Sequence, residues 1–258
     1  MLNLTTEKPR EKSQVLYDRG LILRLLFESF TSTSPTMTSS TATSSTEPVI
    51  YQGQFGPFTI DDHDRQGVRI YRSALMVAAV CVALVTTIAL VMPQSSTQAW
   101  LIAGLYALFS VALGVSLFTI HIYLEILHRA LQAFWAVGCI AAIGVAVGDP
   151  APFAETVVQH PWTILGIGFT FAALTGIYFK EAFCFNRLET KFLTVIVPTL
   201  LLGHLLGLLP IGVAQGLAIA WSGLFLVFAG RKAVQAIPDD IGDKSVFEYL
   251  HRQKAEAQ

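Results

Sequence analysis

Residues Ala99 to Ile120 read AWLIAGLYALFSVALGVSLFTI, a stretch without a single Asp, Glu, Lys or Arg. At about 1.5 Å per residue it is long enough, as a helix, to cross the ~30 Å hydrocarbon core of a bilayer. Backbone groups inside hydrocarbon have no water to bond, so such a run must satisfy them internally as a helix, whereas a barrel strand would be half as long and alternate in polarity. Five more apolar runs of similar length surround it: Ala74–Met92, Leu131–Val147, Pro161–Phe179, Phe192–Leu209 and Ile211–Gly230. The fold class is therefore an all-α membrane protein, a six-transmembrane-helix bundle. Composition agrees, because 53% hydrophobic and 14% charged residues in a chain of 258 exceed what a water-soluble domain could hide.

The cations set the orientation. Arg65, Arg69 and Arg72 precede the first run, Arg129 follows the second, Lys180, Arg187 and Lys191 follow the fourth, and Arg231 and Lys232 follow the sixth. The alternate connections, PQSSTQ, DPAPFAETVVQH and the turn at Pro210, hold neither Lys nor Arg. Under the positive-inside rule both termini are expected in the cytoplasm. Tyr71, Trp100, Tyr123, Trp162 and Tyr178 stand near run ends, where aromatic anchors are expected.

Residues 1–48 are polar and then Ser/Thr-rich (TSTSPTMTSSTATSSTEP), a composition too poor in apolar groups to offset the entropy of ordering. We expect disorder there, and Met37 at the head of the tract as an alternative start. The LILRLLF patch is too short, and too interrupted by Arg24, for a secretory signal. Residues 49–73, rich in aromatics with three glycines and a proline, are expected to form a strand or turn at the membrane surface. Residues 233–258 make a short tail with room for one small amphipathic helix over Ser245 to Lys254.

The motifs YQGQFGPFTI, DRQGVRIYR and FKEAFCFNRLETKF resemble those of a cyanobacterial family of uncharacterised integral membrane proteins, with likeness from about Val49 to the C-terminus. The resemblance implies a photosynthetic bacterium, with residence in the plasma or thylakoid membrane. It implies no activity and no site residues.

Two places could carry chemistry. In HIYLEILHR, at the end of the second run, His121, Glu125 and His128 are spaced to share one helical face, and Glu-x-x-His is how helical bundles present di-iron ligands. KEAFCFNR repeats the spacing with Glu181 and Cys184 at the same expected membrane depth. One reading is a shared metal or redox site made of His121, Glu125, His128, Glu181 and Cys184. The other is ordinary boundary residues, ion-paired with Arg129, Lys180 or Arg187. The second place is His204, which counting from Phe192 puts roughly 18 Å deep, near the midplane. Buried there, it is either a cofactor-binding ligand, relay or gate, or a neutral imidazole bonded to Thr199, Gln215 or Ser222. Gly203 and Gly207, echoed by Gly212 and Gly216, suggest close packing of the fifth and sixth spans through GxxxG pairs.

A net charge of −1, with basic residues scattered at run ends, excludes a nucleic-acid grip. Cys81, Cys139 and Cys184 form neither a disulfide framework nor a zinc motif. No phosphate-binding glycine loop, nucleophile elbow or HExxH is present. The sequence names no cofactor. The expected partners are the lipid bilayer and other membrane proteins, and the function read from it is that of a non-enzymatic scaffold or accessory factor. Alternatives are the rim metal site or a small transporter, the latter suggested by the likeness of LEILH to KEAFC.

Overall fold

The computed structural model describes residues 50–52, 57–120, 122, 125–237 and 255. Strands β1 (Ile50–Gln52) and β2 (Pro57–Thr59) form an antiparallel hairpin, with Tyr51 opposite Phe58. The helices that follow are α1 (Asp62–Val91), α2 (Ser96–Thr119), α3 (Glu125–Gly148), the short α4 (Phe153–Gln159), α5 (Ile164–Phe185), α6 (Leu188–Leu205) and α7 (Ile211–Val234). A 3₁₀ turn at Pro161–Thr163 leads into α5. Six helices have the length and composition to cross a membrane, the fourth running from Pro161 to Phe185.

These helices pack as a ring in the order α1, α2, α3, α5, α6, α7 and back to α1. Aromatic side chains fill its centre. Phe109 stacks on Phe171 with ring centroids 5.6 Å apart, Trp221 meets Phe171 edge-on at 5.7 Å, and Tyr178 meets Phe225 edge-on at 5.3 Å. Tyr178, Phe225, Phe228, Leu174 and Ile177 are wholly buried. The outward face is the reverse of a soluble protein's, since Val77, Leu108, Val111, Ile140, Leu165 and Phe192 are all exposed. In water that belt would drive association; against lipid it is the natural surface. Because lipid is as apolar as the core, the helices are held by close van der Waals contact and by hydrogen bonds more than by water exclusion.

Small residues bring α3 and α5 into close contact. A methyl group added at Gly138 would overlap Thr170, and one at Gly166 would come 2.7 Å from the Ala141 side chain. The GxxxG expectation fails by comparison. Gly212 and Gly216 face open space, and Gly203 lies under Leu209 of the connecting turn. Gly207, with φ of 65°, closes α6: its N–H donates to the His204 carbonyl and the Leu208 N–H to the Gly203 carbonyl, the two bonds of a Schellman cap. This glycine ends a helix; it does not seat a neighbour.

Other boundaries also moved. HIYLEILHR is not one helix, because α2 stops at Thr119 and Glu125 starts α3. Residues 49–73 divide between the hairpin and the first turns of α1, which starts behind a capping box formed by Asp61 and Asp64. DPAPFAETVVQH contains α4. Glu125 to His128 of LEILH begin α3 whereas KEAFC lies near the end of α5, so the two segments are not equivalent parts of a duplicated unit. The expectations for residues 1–48, including Met37, and for the helix over Ser245 to Lys254 lie outside the described residues.

Candidate functional site: a buried ionic cluster at the basic end

The start of α1, the end of α5, the start of α6 and the end of α7 come together at the end of the bundle that carries most of the cations. Their inward faces can be read as helical spacing. In α5, Leu174, Ile177, Tyr178 and Glu181 follow the i, i+3, i+4, i+7 pattern, and in α7, Phe225, Phe228, Ala229 and Lys232 do the same. Each stripe is apolar until its last member, which is charged. The geometry that buries the aromatics thus delivers Glu181 and Lys232 into the interior.

Glu181 is 0% exposed. Its Oε2 accepts from Lys232 Nζ at 2.7 Å, and its Oε1 accepts from Lys180 Nζ at 3.1 Å and from the Tyr71 hydroxyl at 3.3 Å. One carboxylate therefore joins α1, α5 and α7. The Phe185 ring lies beside it, with Lys232 Nζ 4.0 Å from the centroid and Lys180 Nζ and the Arg187 guanidinium each at 5.6 Å. An aromatic face toward cations supplies further attraction in a dry setting.

A second tier surrounds the first. Asn186 takes the left-handed conformation (φ 48°), which asparagine tolerates, and turns the chain so that α6 begins at Leu188. Arg187, the residue before α6, donates to Gln235 Oε1 at 3.0 Å. Arg72 donates through its two terminal nitrogens to the carbonyls of Gln235 and Ala236. Buried Glu189 has Oε1 3.0 Å from Arg231 Nη1, an ion pair.

Removing a carboxylate and an ammonium from water costs several kcal/mol per ion, and attraction repays it only with good geometry and satisfied oxygens. Both oxygens of Glu181 are satisfied. Among the described residues the charges do not cancel, however: Lys180, Lys232 and Arg187 stand around one carboxylate and one ring.

The residues singled out in the sequence are dispersed. Glu125 is exposed in the first turn of α3 and lies 4.0 Å from Arg129. Half-buried His128 has Nε2 2.6 Å from the Leu117 carbonyl oxygen and 3.2 Å from the Gln132 amide, linking α3 to the end of α2. Cys184 is exposed. His121 lies outside the described residues. Among the described residues, the group of three ligand-type side chains close enough to share an ion is Asp61, His63 and Asp64, none of which is in the expected set. Two of these side chains, Asp61 and Asp64, already form the N-terminal cap of α1.

His204 is corrected in depth. Because α6 runs from Leu188 to Leu205, His204 is in its last turn, at the end opposite Glu181. Two of its three expected partners are engaged elsewhere: Thr199 donates to the Val195 carbonyl, and Ser222 bonds Thr86 and Ala218. Of the cluster itself, Glu181 and its pairing with Lys180 were visible in the sequence, whereas Tyr71 read as an interfacial anchor and Lys232 as a marker of orientation. The signal that would have found them is the inward stripe on each helix.

No curated protein and no solved structure matches the chain. The model of one family, described as "Uncharacterized integral membrane protein (DUF2301)", matches residues 115–249. The matched part runs from within α2 through α7, covers just over half of the chain, and includes Glu181, Phe185, Arg187 and Lys232. The chain belongs to this family of integral membrane proteins.

Proposed function

We propose that this chain is a non-enzymatic component of its membrane, a scaffold or accessory factor that works through helix packing and through a basic end facing the cytoplasm. The observation that carries the reading is the use made of Glu181. Both of its oxygens are committed to Lys180, Lys232 and Tyr71, so its charge holds three helices in place. As a metal ligand it would have to release a buried lysine, which is costly. The centre of the ring is filled with aromatic side chains, which favours a rigid body over an alternating-access carrier. Assignment to a photosynthetic bacterium, and to its plasma or thylakoid membrane, rests on the motif resemblance alone.

Purification from the native membrane in mild detergent tests the role. A scaffold should come away in a fixed ratio with other membrane proteins and without stoichiometric metal or pigment. One iron or one tetrapyrrole per chain would overturn the reading. Orientation is tested separately: reporters fused after Gln98 and Pro152 should read as outside and one after Gln258 as cytoplasmic. A C-terminal reporter on the far side would reverse it.

A further inference from the structure

The second tier of the basic end is incomplete. Arg72 Nε and Arg187 Nη1 are both shielded from solvent and have no hydrogen-bond partner among the described residues. A cationic donor left unpaired away from water carries a larger penalty than a neutral one, and such groups usually mark a missing water, ion or ligand. The two guanidiniums are brought together by Gln235, whose side-chain oxygen accepts from Arg187 and whose backbone carbonyl accepts from Arg72. What each of the two lacks is therefore an acceptor. Nearby Lys180 and Lys232 leave the surroundings with positive charge in excess of Glu181.

We propose that the phosphate of an anionic membrane lipid binds in this notch, between Arg72 and Arg187 beside Gln235. A phosphate has oxygens enough to accept from both guanidiniums, and charge-assisted bonds to Arg are the strong ones. The lipid source is argued from the surroundings. The notch is at the ends of membrane-spanning helices, and next to it along the chain Phe183 (56% exposed), Leu188 (67%) and Phe192 (58%) present an apolar outer surface on which acyl chains can lie. A basic notch between helix ends, beside an apolar face, is how membrane proteins hold acidic headgroups.

The test uses the full chain in mild detergent, supplied with equal amounts of phosphatidylglycerol and phosphatidylcholine and read by native mass spectrometry. Phosphatidylglycerol should be retained in preference, by about tenfold. Arg72→Gln and Arg187→Gln should each bring retention down toward that of phosphatidylcholine, Arg187→Lys should keep part of it, and Arg69→Gln, at an exposed position of α1, should leave it unchanged. Equal retention of the two lipids by the unaltered chain would overturn the proposal, whether or not the variants fold. Full displacement by millimolar inorganic phosphate would overturn it in favour of a free-anion site. A gain in retention on changing Asp239 and Asp240 to Asn would overturn it in favour of the chain's own acidic tail as the occupant.

Discussion

The two ends of the bundle are built on different physics. At the basic end, buried charges from α5, α6 and α7, joined by the Tyr71 hydroxyl of α1, tie the helices together. The opposite end is held by neutral groups that finish helices. Ser95 caps α2 by accepting from the Gln98 N–H, and the Gln98 amide reaches back to donate to the carbonyls of Ile88 and Met92 at the end of α1, each at 3.1 Å. Gly207 closes α6, and Pro210 precedes α7. Packing is looser there too: a groove of about 580 Å³ opens between the end of α3, α4 and the start of α5, floored by Ala141, Gly144 and Gly166. Neutral caps satisfy a helix end one at a time, whereas a buried charge binds several helices at once and fails as a unit.

That contrast can be broken most sharply at Glu181. Glu181→Leu leaves two lysines without their carboxylate and should lower unfolding stability in detergent by about 3–5 kcal/mol. A loss of under 1 kcal/mol would mean the cluster is not what holds this end. Converting both Glu181 and Lys232 to Met should recover part of the loss, since an apolar pair can replace a buried ion pair at little cost, and failure to recover any would point to a role beyond holding helices.

Away from the charges, Gly138→Ala sets a methyl against Thr170 and should cost about 1–3 kcal/mol by thermal melting, while Gly216→Ala, facing open space, should be neutral. Reversed effects would restore the GxxxG reading of the fifth and sixth spans. At the neutral end, Gln98→Leu should cost about 1 kcal/mol, well below Glu181→Leu; equal losses at the two ends would remove the contrast. The smallest effect is expected at His204, where substitution by Leu in a terminal turn should change stability by about 1 kcal/mol or less.

The number and type of spans were legible because each helix crossing a bilayer needs a long uncharged run, and nothing else in a short chain produces one. Helix ends were less so. Polar residues such as Glu125 and His128 can sit past the last turn of one helix or in the first turn of the next, and hydropathy alone does not distinguish them. The site divides similarly. Glu181 announces itself as an acid beside an apolar run, but its partner Lys232 lies 51 positions away and is as well explained by solvent and by orientation. Only the stripes in α5 and α7 show that both point inward, and the pairing across them is a property of the assembled ring. The expected depth of His204 erred because α6 starts at Leu188, ahead of the first uncharged stretch, with Glu189 and Lys191 inside the helix.

Helix α1 has 30 residues, which at about 1.5 Å each makes a shaft of roughly 45 Å for a hydrocarbon layer of ~30 Å. Tyr71 is fastened to Glu181 partway along it. That attachment acts as a collar: it fixes how far the shaft is inserted and leaves the turns from Asp62 to Ile70, with the hairpin ahead of them, on one side of it. A pull on the hairpin would travel down a rigid rod and arrive first at the collar, so the residue that fixes the depth of α1 is also the one that would register a load on it.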